Sequence, residues 1–184
     1  MTSVHLPKLL SIEDWDALPE DNGAHIELQE GVLIVTPRRL RRHARAAFRI
    51  AKQLDDQLPD DLEAIIEFEV CVDAAYPPTV RIPDVVITRK EGSERRLDGP
   101  DVLVAIEVVS PGSRRTDTVT KRSEYAEATI EHYWIVELGP PVTLTALPLA
   151  GEFGYQESPA VTGTFTTTSA PVPLRLDLDA LGEP

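Results

Sequence analysis

Two acids interrupt the most apolar parts of this sequence. Asp84 stands in Arg81-Ile-Pro-Asp-Val-Val-Ile87, and Glu107 in Ala105-Ile-Glu-Val-Val-Ser-Pro-Gly-Ser-Arg-Arg115. A carboxylate among Val, Ile and Leu loses its hydration unless a counter-charge or a cation compensates it. Asp84 follows Pro83, and a proline within a strand marks an edge or a strand start, where regular pairing is already interrupted. Strand alternation places Asp84 on the face of Ile82 and Val86, and Glu107 on the face of Leu103 and Ala105. If the two strands are neighbours, the acids can share a divalent cation. Hard oxygen ligands suit Mg²⁺ or Mn²⁺, which keep several waters and take one or two carboxylates plus phosphate oxygens. The structural alternative is that each acid pairs with Arg81, Arg114 or Arg115 at a strand end.

The elements that must hold these acids follow from periodicity. Ser11 caps a short helix to Leu18, with acids in its first turn and Ile12, Trp15 and Leu18 at helical spacing. Asn22-Gly23 makes a turn, and residues 25–35 read as two short strands about Glu30-Gly31. Pro37 opens an amphipathic helix to about Gln57, with Leu40, Ala44, Ala47, Phe48, Ala51 and Leu54 on its apolar face. Strands are predicted over 62–72, 80–88 and 102–109, the last apolar on both faces apart from Glu107, as in a covered central strand. Thr116-Asp117 is placed to cap the next helix, which carries Lys121, Tyr125 and Ala128 ahead of a strand over 133–137. Beyond Val142 the alternation predicts hairpins and a short edge strand at Leu174, Leu176 and Leu178. The expected architecture is α/β: one central mixed sheet flanked by helices, with additional N- and C-terminal hairpins.

At 184 residues the chain has the length of one ordinary domain, taken here as 1–184, and 42% hydrophobic with 27% charged residues is globular usage. The single Cys71 has no disulfide or zinc-site companion, which points to a reducing compartment, the cytoplasm. No window has the apolar length of a membrane helix, and Glu13, Asp14 and Asp16 replace a signal peptide's apolar stretch. The net charge of −13 disfavours non-specific affinity for nucleic acid, yet its distribution is uneven. Arg38, Arg39, Arg41, Arg42, Arg45, Arg49 and Lys52 fall in one segment without an acid, so the other residues carry −20 against the chain's −13. That segment is a phosphate-backbone or partner surface, or else a solvated face balancing an acidic chain. Arg89, Lys90, Arg95 and Arg96 extend it, and no aromatic residues are interleaved to stack bases.

The order Pro83-Asp84, then Glu107 late in an apolar strand, then a helix with Lys121 resembles the PD-(D/E)XK nuclease superfamily. With Glu27 before a Gly turn, His43 on the long basic helix, Glu107-Val-Val-Ser-Pro, Asp117, Lys121, Tyr125 and Tyr133-Trp-Ile-Val136, the chain looks like the Uma family of restriction endonucleases from roughly Ile12 to Leu181. The resemblance implies a restriction-endonuclease-like core hydrolysing DNA phosphodiester bonds by in-line water attack. It assigns Asp84, Glu107 and the Val108 carbonyl as Mg²⁺ (or Mn²⁺) ligands, and a lysine that orients or activates the water. That lysine normally stands two positions after the acid. This chain has Val109 there, and Lys121, on the following helix, is the replacement.

Bland readings stand beside these roles. Lys121 can pair with Asp117 or Tyr125, four residues away on its own helix. Tyr125 can simply pack, and Asp117 can cap or hold Lys121 in place. Glu27 is a further ligand or water holder, or an exposed acid by a turn. His43 contacts phosphate alongside Arg38, Arg42, Arg45 and Arg49, or is an ordinary helix histidine. Ser110 and Ser113 form a turn, or Ser110 bonds a carboxylate. No Gly-x-Ser-x-Gly elbow supports a serine hydrolase. The partners expected are DNA and, because double-strand cutting needs two sites, a second copy of the chain, with no membrane and no nucleotide cofactor. A nuclease fold that binds nucleic acid or protein without cutting is the competing expectation.

Overall fold

A computed structural model of the chain describes residues 8–19, 25–36, 39–110, 112–168 and 170–182. In chain order it has helix α1 (Ile12–Asp16), strands β1 (His25–Gln29) and β2 (Val32–Thr36), helix α2 (Arg41–Asp55), then strands β3 (Leu62–Ile66), β4 (Val70–Asp73), β5 (Thr79–Arg81), β6 (Val85–Arg89), β7 (Leu97–Asp98) and β8 (Val102–Val109). Helix α3 (Lys121–Glu127), strands β9 (His132–Glu137), β10 (Thr143–Pro148), β11 (Thr164–Thr167) and β12 (Leu174–Asp177), and a terminal turn of helix, α4 (Asp179–Gly182), complete it. The expected α/β architecture with terminal hairpins forms, but around two five-stranded sheets: β10-β9-β8-β6-β3 and β2-β1-β5-β4-β7. Both are mixed, since β8 runs parallel to β9 and β4 parallel to β7.

The second sheet exists because two of the predicted strands break. The stretch 62–72 divides into β3 and β4 at Glu67, whose φ of +51° no strand sustains. The stretch 80–88 divides into β5 and β6 at Ile82-Pro83-Asp84, where Pro83 has no N–H to donate. At each of these two breaks the chain crosses between sheets, and the two crossings touch, with the Glu67 amide donating to the Asp84 carbonyl at 3.2 Å. This junction is where the acids gather.

Helix α2 covers one face of the first sheet, with Ala46, Ala47, Ile50, Ala51 and Leu54 against Val85, Ile87, Val104, Ile106 and Trp134. Its buried stripe is rotated from the predicted one: Leu40 (64% exposed), Ala44 and Phe48 (59%) face outward, while His43 and Ala46 face in. Packing decides this, because three alanines let the helix lie close on a sheet of Val and Ile, where Phe48 would hold it off. Pro37 and the Asn22-Gly23 turn lie outside the described residues. On the opposite face, Val86, Ala105, Tyr133 and Ile135 pack with Tyr125 of α3 and with Val70 and Leu97 of the second sheet. Leu103, predicted to share a face with Ala105, packs instead with the α2 side, because the β6–β8 register shifts between Ile87 and Thr88.

Two local devices fix the site. Glu30-Gly31 turns β1 into β2 with φ of +47° and +74°, and a Cβ on Gly31 would lie 2.9 Å from that of Leu9. The helical chain leading to Lys121 is entered at Ser110, whose carbonyl accepts from the Arg114 amide at 3.1 Å, so Asp117 is not the predicted cap. Asp117 lies inside a π-helical turn, Thr116–Thr120, that runs straight into α3. Asp117, Lys121 and Tyr125 are consequently all buried on one face.

Candidate active site

The β6–β8 register pairs Val85 with Ile106, so Asp84, just before β6, stands across from Glu107. The two acids draw on different neighbours. Glu107 Oε1 accepts from the Lys121 ammonium at 2.8 Å and from the Tyr125 hydroxyl at 2.8 Å. Lys121 Nζ lies 2.9 Å from Glu27 Oε1, and that oxygen also accepts from the Ile82 amide at 3.1 Å. Arg81 closes the ring: Nη1 bonds Glu27 Oε2 at 3.0 Å, and Nε and Nη2 bond the two oxygens of Glu124 at 2.7 and 2.6 Å. Bidentate guanidinium–carboxylate pairing of this kind is the strong form of ion pair.

Asp84 lies at the end of this network nearer α2. Its Oδ2 accepts from the Val108 amide at 2.6 Å and sits 3.2 Å from His43 Nε2, while its Oδ1 faces the guanidinium of Arg39. His43 Nε2 is 2.7 Å from the Val108 carbonyl, and a carbonyl only accepts, so Nε2 carries the proton. Arg39 also reaches His25 Nε2 at 3.2 Å and Glu67 Oε1 at 3.4 Å.

Burial tunes these groups in opposite directions. For Glu27 burial opposes the charge, but Lys121 and Arg81 outweigh it and hold the carboxyl at about 2. Burial likewise opposes the Lys121 ammonium, and Glu107 and Glu27 more than restore it, raising its pKa above the ordinary value. Burial, and then the neighbouring Arg39 charge, lower His43 to about 4, so its imidazole is neutral at physiological pH. Asp117 is lifted to about 7, first by burial and then by Glu107. Burial, with Glu107 next, pushes the Tyr125 phenol well above its usual range.

The predicted site residues thus fall into separate sets. Glu27, Glu107, Lys121 and Tyr125 share the buried network, and Asp84 and Val108 adjoin it across the strand pair. His43, grouped in the sequence with the basic face, is buried against Asp84 and Val108. On the basic helix Arg42 is exposed and Arg45 half-buried, Arg49 donates to the Ala180 carbonyl at 2.7 Å, and Arg38 lies outside the described residues. Ser110 and Ser113 bond one another, Oγ to Oγ at 2.9 Å, as turn formers. Of the arginines proposed as partners for the acids in the structural reading, Arg81 is engaged with Glu27 and Glu124, and Arg114 with Glu137. Arg39, Arg81 and Glu124 were not singled out as site residues by sequence. Arg81 carried a signal, a lone base in an apolar strand, of the kind that exposed Glu107.

The family model Uma2, described as "Putative restriction endonuclease", matches residues 12–179. The chain belongs to the Uma2 family. A crystal structure of "a putative nuclease belonging to DUF820" from Anabaena variabilis shares its fold, with a TM-score of 0.71 at 15% identity over 94% of this chain and 97% of that one. No curated protein matches the chain. In this Uma2 chain Val109, at the position two after the acid, packs against the α3-side core, and an ammonium reaches Glu107 from α3 instead. The donor set suits a hard cation: the Asp84 carboxylate, the Val108 carbonyl and Glu107, with the positive Arg39 and the N–H of His43 already directed at the first two. Among the described residues no three His, Cys, Asp or Glu side chains are placed to hold a metal ion by themselves, so a cation held by these groups would keep water ligands.

Proposed function

We propose that this nuclease-family chain is a divalent-metal-dependent DNA endonuclease whose water attacks the scissile phosphorus in line. The observation that carries the reading is the Lys121 ammonium, 2.8 Å from Glu107 Oε1, in a chain that lacks a lysine at position 109. Asp84, Glu107 and the Val108 carbonyl are the proposed ligands of Mg²⁺ or Mn²⁺, which when bound supplies charge to the phosphate oxygens and acidifies a water.

The roles of the side chains follow from their tuning. A lysine whose pKa is raised stays protonated, so Lys121 orients water or phosphate by donating hydrogen bonds and does not take the proton. Glu27 and Arg81 hold that ammonium in register with Glu107, and the Tyr125 hydroxyl fixes the Glu107 carboxylate through the same oxygen. Because both contacts use Oε1, Oε2 is the oxygen Glu107 turns toward a cation. His43, neutral and bonded to the Val108 carbonyl, steadies the strand end beside Asp84. Outside the pocket, the exposed Arg42 and half-buried Arg45 lie on α2 as contacts for the DNA backbone.

The test is plasmid cleavage with Mg²⁺ or Mn²⁺, with Glu107→Gln as control. Nicking that needs the metal and vanishes in the variant is expected. Protein that binds DNA but cuts it under no metal condition would instead be the non-cutting module.

A further inference from the structure

The Asp84 end of the site already contains a cation. The Arg39 guanidinium lies against Asp84 Oδ1, a fully buried oxygen, and its Nη1 is 3.1 Å from His43 Nε2. Since Nε2 carries its proton toward the Val108 carbonyl, Nη1 and Nε2 meet as two donors. They converge there because both are drawn to the Asp84 carboxylate, Arg39 at Oδ1 and His43 at Oδ2. Asp84 is one of the three proposed metal ligands, so a divalent ion and the Arg39 guanidinium compete for its carboxylate.

Arg39 is able to leave. It stands just before the first turn of α2, at a helix start whose N-cap, Leu40, makes no side-chain bond. Its Nε side faces Glu67 at 3.4 Å, and Glu67 is 52% exposed on the rim, so a guanidinium displaced from Asp84 has a second carboxylate within reach. A buried carboxylate stripped of its counter-charge is strongly unfavourable, which explains why the chain supplies one when no metal is bound.

We infer that Arg39 is a built-in competitor for the metal: it neutralises Asp84 in the metal-free protein and swings toward Glu67 when a divalent ion takes its place. The inference rests on the metal site proposed above. By linkage, removing the competitor tightens the metal and weakens the apo fold.

The test uses the full chain and Mn²⁺ alone. Isothermal titration of Mn²⁺ and thermal unfolding with and without it are compared for the wild type, Arg39→Gln, Arg39→Met and Asp84→Asn. The expected result is about tenfold tighter Mn²⁺ binding in both Arg39 variants, a lower apo Tm, and a larger Mn²⁺-induced rise in Tm than in the wild type. Two Arg39 substitutions of retained bulk guard against one that fails to fold. Mn²⁺ affinity in the Arg39 variants equal to or weaker than wild type, with Asp84→Asn still abolishing binding, overturns the inference while leaving the metal site intact. Wild-type protein that binds no Mn²⁺, or binds it equally well as Asp84→Asn, overturns the metal site and the inference with it.

Discussion

Replacing Asp117 by Asn should stabilise the protein, and more so in mildly basic than in mildly acidic solution. Asp117 is buried inside the helical turn before α3, and its carboxyl is lifted from 3.8 to about 7 by burial and by Glu107. A carboxyl with a raised folded pKa binds its proton more tightly in the native state, so stability is greatest below the unfolded value and declines as pH rises toward the folded one. At ~1.36 kcal/mol per pKa unit the full shift is worth about 4 kcal/mol well above pH 7, and integration gives roughly 2 kcal/mol at about pH 5. An amide at this position has no proton to lose, so the stabilisation by Asp117→Asn should grow by about 2–3 kcal/mol between about pH 5 and pH 8. Urea denaturation of both proteins at the two pH values measures it, with m-values checked for constancy. An equal difference at both pH values would show that Asp117 does not titrate in this window. A destabilised variant at the higher pH would show that its charge is useful to Lys121.

Two further outcomes follow from the same geometry. Glu27 is depressed from 4.5 to about 2 by Lys121 and Arg81 acting against burial, so its ionisation contributes about 3 kcal/mol above pH 4.5, lost as pH falls through about 2. Glu27→Gln should therefore lose about that much at neutral pH, with the gap to wild type closing in acid denaturation near pH 2. Charge reversal at Arg42 and Arg45 of α2 should weaken DNA binding and flatten its dependence on salt; an unaltered salt slope removes α2 from the DNA surface.

What was legible in the sequence was what a single segment determines. Glu107 stood out because an acid in a strand covered on both faces demands a partner, and Ser11, Glu30-Gly31 and the C-terminal alternation announced a cap, a turn and a hairpin that all formed. The partner was named only through the family resemblance, which offered Lys121 and Glu27; nothing in the segment itself pointed to them. Lys121 is fourteen residues from Glu107 along the chain, and Glu27, which holds the same ammonium, comes from a strand of the other sheet. The face of α2 was misjudged because hydrophobicity ranks Phe48 above Ala46, whereas contact with a flat sheet ranks them by size. Asp117 was misjudged because Thr-Asp before an apolar stretch matches a cap, and the real helix entry lay a turn earlier at Ser110.

The paired crossings at Glu67 and at Ile82-Pro83-Asp84 account for the rest. Glu67 adopts a positive φ that no propensity assigns to Glu, so nothing local foretold that β3 and β4 would belong to different sheets. Yet the crossing is what makes a site possible. It brings the β1–β5 side of the second sheet, carrying Glu27 and Arg81, against the ends of β6 and β8, carrying Asp84 and Glu107. It also leaves main-chain donors and acceptors that no strand partner takes up: the Ile82 amide goes to Glu27, the Val108 amide to Asp84, and the Val108 carbonyl to His43. Glu27 and Asp84 are thus each oriented by a backbone amide of the neighbouring segment, and these two side chains cannot be repositioned without disturbing the junction. A lysine two positions after Glu107 would arise from the strand itself. One from α3 requires the junction to hold Glu27 and Glu107 on either side of it, which is why the Val109 departure and the Glu27–Arg81–Glu124 network belong to a single structural solution.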